Sequence, residues 1–191
     1  MENKEYLKWI MPSIKNRSVK SNCLDEGFNF RIEKAREQYQ IGVQKGIPEN
    51  KENHKKEIIN YVNEFLSSIM GMIKIDDPYV YPKKSQKRRI DYAKIYPENK
   101  QDIVWIKFTT DGIISVIGTG CDIYFTDETQ KSTSSGCINQ KLGLEWDEDV
   151  VLIFPLKNIP KGLNRSDIES GIGNYLISKG VPILDFYSHN Y

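Results

Sequence analysis

The side chains able to do chemistry in this chain are few. Histidine occurs twice, at His54 and His189. No HExxH and no paired Cys/His spacing accompanies them, which argues against zinc chemistry. The three cysteines, Cys23, Cys121 and Cys137, form no CxxC pair, and they read as reduced, mostly buried thiols rather than a disulfide framework. A nucleophilic Cys121 or Cys137 needs a base within hydrogen-bond reach, and His54 reads as a surface residue on the polar side of a long helix. Carboxylates are more plentiful and crowd the second half of the chain. Two or three of them converging at about 2 Å from a magnesium ion make a hydrolytic centre. Asp122, with Glu145 or Asp147 from the stretch EWDED, are the candidate catalytic and ligating groups.

A second constellation depends on topology. If the apolar strands 149–156 and 183–187 are parallel neighbours, their carboxyl edge gathers Lys157, Asn158, Arg165, Ser166, Ser188 and His189 near the start of a helix. That is where α/β crossovers hold anions, so Lys157, Arg165, Ser166 and His189 form a candidate anion site. Ser166 with Asp167 and Glu169 also reads as a self-capped helix start, which satisfies the same dipole without a ligand. Within that helix ESGIGNYL begins a GxGxxG and fails at Leu176. The two mid-helix glycines, Gly171 and Gly173, therefore point to close packing rather than to a nucleotide cradle.

The third feature is the run KKSQKRR, with Lys83, Lys84, Lys87, Arg88 and Arg89 inside seven positions of a chain whose net charge is only +1. On a nucleic acid backbone these cations would give binding that weakens steeply with salt, and Tyr79, Tyr81, Tyr92 and Tyr96 could stack on bases. The run reads first as a solvated linker or partner-facing arm. Residues 1–100 carry 20 Lys/Arg against 14 Asp/Glu, and residues 101–191 carry 7 against 12. Basic and acidic poles of this kind suit an electrostatically chosen partner or self-association.

The elements that must position these groups form an α+β pattern in 191 residues with 39% hydrophobic and 28% charged composition, as expected of one domain with a packed core. Three subregions are expected: helical 1–76, a basic connector 77–100 and sheet-containing 101–191. Apolar residues at three- and four-residue steps predict helices over 28–43 (Phe28, Ile32, Ala35, Tyr39, Val43) and 51–72 (Ile58, Val62, Phe65, Leu66, Ile69), the second capped by Asn50. Gly42, Gly46 and Pro48 supply the stop between them, and a short helix near 3–11 ends at Pro12. IVWIKFT and IISVIG flank an Asp-Gly turn and predict a hairpin, and CDIYFTD (121–127) extends it to a meander. Residues 128–143 read as an exposed loop, and EWDED as the solvated end of a strand. Strand 149–156, helix 166–179 and strand 183–187 predict a β-α-β crossover. The expected whole is a helical N-terminal part packed on a mixed sheet.

The order helix, three-strand meander, helix, strand over about residues 51–187 resembles the αβββαβ core of restriction-endonuclease-like nucleases. The resemblance implies Mg2+, an acidic ligand and a later (Asp/Glu)-x-Lys. Here the Lys-bearing strands read VWIK and FPLK, with no carboxylate two places before Lys107 or Lys157. The expected function is a small cytoplasmic binding or regulatory protein of immunity, phage or regulatory type, acting through a protein partner and without a cofactor. The alternative is a divergent Mg2+-dependent nuclease or nucleic-acid-binding protein. The start MENKEYLKWIMPS lacks a signal-peptide core, and no apolar run reaches the ~20 residues of a membrane span.

Overall fold

A computed structural model of the chain describes residues 4–10, 26–69, 74–75, 79–81, 102–120 and 133–185. Lys83, Lys84, Lys87, Arg88, Arg89, Cys23, Cys121, Asp122 and His189 lie outside them, as does the expected strand 121–127. The fold class is α+β. In chain order the elements are α1 (Lys4–Leu7), α2 (Glu26–Gln44), α3 (Lys51–Ser68), β1 (Lys74–Ile75), β2 (Tyr79–Tyr81), β3 (Asp102–Thr109), β4 (Ile114–Gly120), α4 (Ser134–Leu142), β5 (Trp146–Lys157) and α5 (Arg165–Ser178).

The sheet runs β1-β5-β3-β4, with β2 also paired to β5. Every one of these pairings is antiparallel. The hairpin turns where predicted: Thr109 N donates to Ile113 O and Gly112, at φ +80°, supplies the positive φ. Strand alternation decides the core face. Val104, Ile106 and Phe108 of β3 and Leu152, Phe154 and Leu156 of β5 share one side and pack under α3 and α5, with Ile10 and Ile58, Val62, Phe65, Leu66 and Ile69. Each such side chain, fully buried, contributes about 1.5–3 kcal/mol. A second cluster joins Phe28, Ile32 and Ala35 of α2 to Ile138 of α4 and to Ile113 and Leu184.

Several expectations are corrected. The described residues after α5 do not pair beside β5: Ile183 makes a parallel bridge to Ile114 of β4, at the far edge of the sheet, and Asp185 N donates to Ser115 O. The return is thus parallel in direction but separated from β5 by β3 and β4, so that among the described residues the expected mixed sheet is an antiparallel sheet with one parallel bridge. Within 128–143, residues 134–142 are the helix α4, not loop. Thr133 Oγ1 accepts from Gly136 N, and Gly143 closes the helix at φ +68°. Those two caps and the apolar Ile138 outweigh the polar composition that reads as loop. Part of the connector is strand, since β2 pairs Tyr79, Val80 and Tyr81 with Ile153, Leu152 and Val151. EWDED does not end a strand in solvent but opens β5, where Trp146 pairs with Thr109. Val43 is exposed, and Gly42 takes its place on the buried stripe because a Cβ there would stand 2.6 Å from Ile113 Cδ1. Cys137 is disulfide-bonded, which corrects the reading of three reduced thiols.

Candidate functional site: a cation-rimmed recess

Three helix ends meet at one recess of about 650 Å3. The turn between α2 and α3 brings Lys45, Gly46, Ile47 and Asn50. The first turns of α3 bring Asn53, His54, Lys56, Glu57, Asn60 and Tyr61, and the end of α5 brings Lys179, Gly180 and Val181. The walls are held together by Lys45 Nζ, which donates to Gly180 O. Both turns use left-handed glycines, Gly46 at φ +69° and Gly180 at φ +76°, a backbone state open to glycine without steric cost. The lining carries three ammonium groups and one carboxylate.

The amino end of α3 is unusual. Asn50 stands at its N-cap with no side-chain cap hydrogen bond and instead donates Nδ2 to Gly46 O at 3.1 Å. The polar head of the helix is therefore left to other partners. One turn on, His54 is 8% exposed and its Nε2 is buried without a hydrogen-bond partner. Its Nδ1 lies 3.7 Å from Glu57 Oε2, and Tyr61 Oη donates to the same residue at 3.0 Å. That bond to Glu57, with burial behind it, raises the Tyr61 pKa. Lys179 Nζ stands 3.6 Å from Glu64 and 5.5 Å above the Tyr61 ring.

His54 was expected on the solvent face, and the structure reverses that. Residues 54, 58, 62, 65 and 69 step by four, four, three and four, so His54 is the amino-terminal member of the buried stripe. Burial lowers its pKa, and nearby Lys45 adds to this, while Glu57 opposes it. The sign of the pH effect follows. An unfolded histidine takes up its proton near pH 6.5, the folded ring only at lower pH, so the unfolded state binds more protons in between and stability falls as pH drops through that window. Urea titrations at pH 7.5 and 5.5 are expected to show lower stability at the acid end, with part of the loss removed in His54→Gln. An identical pH slope in that variant would refute the assignment.

The other predicted groups are placed as follows. Asp147 Oδ2 lies 3.4 Å from Lys55 Nζ, and its Oδ1 accepts from Val150 N. Glu145 is exposed, and its backbone oxygen accepts from Thr110 N. Asp102, Asp111 and Asp185 are bonded to Arg165, Tyr39 and Arg31. Among the described residues no three His, Cys, Asp or Glu side chains gather as a metal site, and Asp122, the third member of the nuclease reading, lies outside them. At the start of α5 the cap is Asn164, two residues before the expected Ser166. Asn164 Oδ1 accepts from Ser166 N and Asp167 N, and Asp167 Oδ2 accepts from Asn164 N. With Arg165 held 2.8 Å from Asp102, that helix start already has its charge partners. Gly171 is a packing residue: a Cβ there would stand 2.6 Å from Phe65 Cζ. Lys107 lies over the rings of Trp105 and Trp146 at 4.8 and 5.6 Å.

No protein-family model, curated protein or solved structure matches the chain. Sequence reasoning missed the recess because its cations, Lys45, Lys56 and Lys179, come from three elements and share no local motif. The one local signal was the four-residue step from His54 to Ile58. Among the described residues, no helix is long and apolar enough to cross a membrane.

Proposed function

We propose that this protein works by recognition, as a small binding or regulatory protein that engages a protein partner through the recess between α3 and the end of α5. The observation that carries the reading is the lining itself: Lys45, Lys56 and Lys179 around polar amide side chains, with Ile47 and Val181 as its apolar members. A concave polar site of this kind suits an acidic group projecting from the partner, and its charge favours fast, salt-sensitive association. The disulfide of Cys137 favours an oxidising compartment over the cytoplasmic setting expected from the sequence.

Lys56 is the cleanest probe, because it is exposed on α3 and lines the recess. Affinity capture with wild-type protein, with Lys56→Glu and with the control Lys161→Glu tests the reading. One protein is expected to be retained by the wild type and the control and depleted about tenfold or more by Lys56→Glu, as a charge reversal at a contact of about 1.4 kcal/mol or above requires. Equal recovery on all three overturns the proposal. So does cleavage of plasmid or RNA in magnesium or manganese that a chelator abolishes, which is the outcome the nuclease alternative calls for.

A further inference from the structure

Helix α2 buries one side and carries a second apolar line on the other. Phe28, Ile32, Ala35 and Tyr39 turn toward Ile138 of α4 and toward Ile113 and Leu184. Among the described residues the exposed large hydrophobic side chains are Phe30, Ile41 and Val43, at 47%, 37% and 46% exposure, and all three belong to this helix. Surface hydrophobics scattered singly call for no explanation. Phe30 and Ile41 are not scattered: with Lys34 and Glu37 between them they step by four, three and four, which sets the four residues on one line along the helix. Val43 stands on another side and is outside that line. Spacing of this kind is the seam along which two helices pack at a shallow, left-handed crossing.

Along the seam the order is apolar, basic, acidic, apolar, which is complementary to itself when reversed. Two copies laid antiparallel about a two-fold axis between residues 35 and 36 set Phe30 on Ile41 of the second copy and Lys34 on Glu37 of the second copy. A parallel pairing sets Lys34 on Lys34 and Glu37 on Glu37, and like charges repel it. A two-fold contact requires that one patch answer itself, and this patch does so in the antiparallel direction alone. Lys34 Nζ donates to Glu37 Oε2 of its own helix at 2.7 Å, with the two side chains 35% and 56% exposed. An ammonium has three protons and a carboxylate two oxygens, so both keep capacity for the second copy, and four charges close into a ring around the axis. We propose that the outer line of α2 binds a second copy of this chain as an antiparallel helix pair, with Phe30 and Ile41 as its anchors and Lys34 and Glu37 setting its direction. This surface is separate from the recess, whose lining begins at Lys45, so the proposal does not depend on the recess reading. Phe30 to Ile41 spans about 17 Å of helix. A contact of that length falls short of the roughly 800 Å2 per partner of a standard interface, so the expected dimer is weak and reversible.

Sedimentation velocity of the full-length protein, from about 10 μM to 1 mM where weak complexes form, tests this. The wild type is expected to move from monomer toward dimer as concentration rises. Ile41→Glu is expected to raise the dimer Kd about tenfold or more, because the two-fold axis presents each change twice. Lys34→Glu and Glu37→Lys are each expected to stay monomeric, since each gives the seam charges of one sign. An equimolar mixture of those two variants is expected to dimerise, because an acidic seam then faces a basic one. A wild type that stays monomeric throughout overturns the proposal. So does a dimer that Ile41→Glu and the charge changes leave intact, which places the contact on another face, and so does a mixture no more associated than its components. Association restored by mixing cannot come from misfolding of either variant, so that arm reads the seam itself.

Discussion

Asp185→Ala is expected to lower stability by about 3–5 kcal/mol, the scale of breaking a buried ion pair by removing one member. The carboxylate is 2% exposed and collects three side chains: Arg31 Nη2 at 2.5 Å, Ser135 Oγ at 2.6 Å and Ser134 Oγ at 3.0 Å. Its backbone N donates to Ser115 O of β4. One residue thus ties α2, α4 and the edge of the sheet. Removing it takes a carboxylate away from the Arg31 guanidinium, itself 9% exposed and over the Phe28 ring. The weakened pairing of a buried charge is part of the cost, so the double variant Arg31→Met with Asp185→Leu is expected to be more stable than Asp185→Ala alone. Urea denaturation of the three proteins measures this. A cost below about 1 kcal/mol for Asp185→Ala, the level of an exposed pair, would show that the cluster does not hold these elements.

Phe65→Ala is expected to cost about 3–5 kcal/mol by truncating a buried aromatic side chain. Phe65 is fully buried, with ring centroids 5.6 Å from Tyr175 and 6.1 Å from Tyr6, and its Cζ occupies the space a Cβ on Gly171 would need. Gly171→Ala in the native background is therefore an overpacking change, destabilising by about 1–3 kcal/mol. In the Phe65→Ala background the ring is gone, and only Ile10 Cγ1, 2.8 Å from the added Cβ, still has to shift, while the change keeps its gain in helix propensity, up to about 1 kcal/mol. Its effect is then expected to be clearly less destabilising than in the native background. The coupling read from this cycle is the measurement, and additive effects within about 0.5 kcal/mol would show that the two helices do not meet at this point.

How far each element was legible depends on where its information sits. The α3 stripe from Ile58 to Ile69 and the Asp-Gly hairpin are local patterns, and both appear as read. Two errors came from ranking composition above capping and period. Residues 133–143 look polar, yet Thr133 and Gly143 bound a helix at its two ends. His54 looks solvent-facing beside Lys55 and Lys56, yet its spacing to Ile58 carries it inside. Helix α5 was placed within one residue, but its cap is Asn164 rather than Ser166, because the acceptor and the Asp167 that answers it are three residues apart in a capping box.

Local order alone decided that the chain is a helix-and-strand protein, which faces of α3, β3 and β5 are apolar, and that Gly171 of α5 is a point of close packing. Only the tertiary structure decided that the chain after α5 returns to β4 instead of β5, that Arg31 meets Asp185 across 154 positions, and that Lys45, Lys56 and Lys179 share one recess. Patterns of period 2 and 3.6 specify a face to bury. They do not specify which distant face covers it, and charges brought together by that choice leave no trace in neighbouring residues.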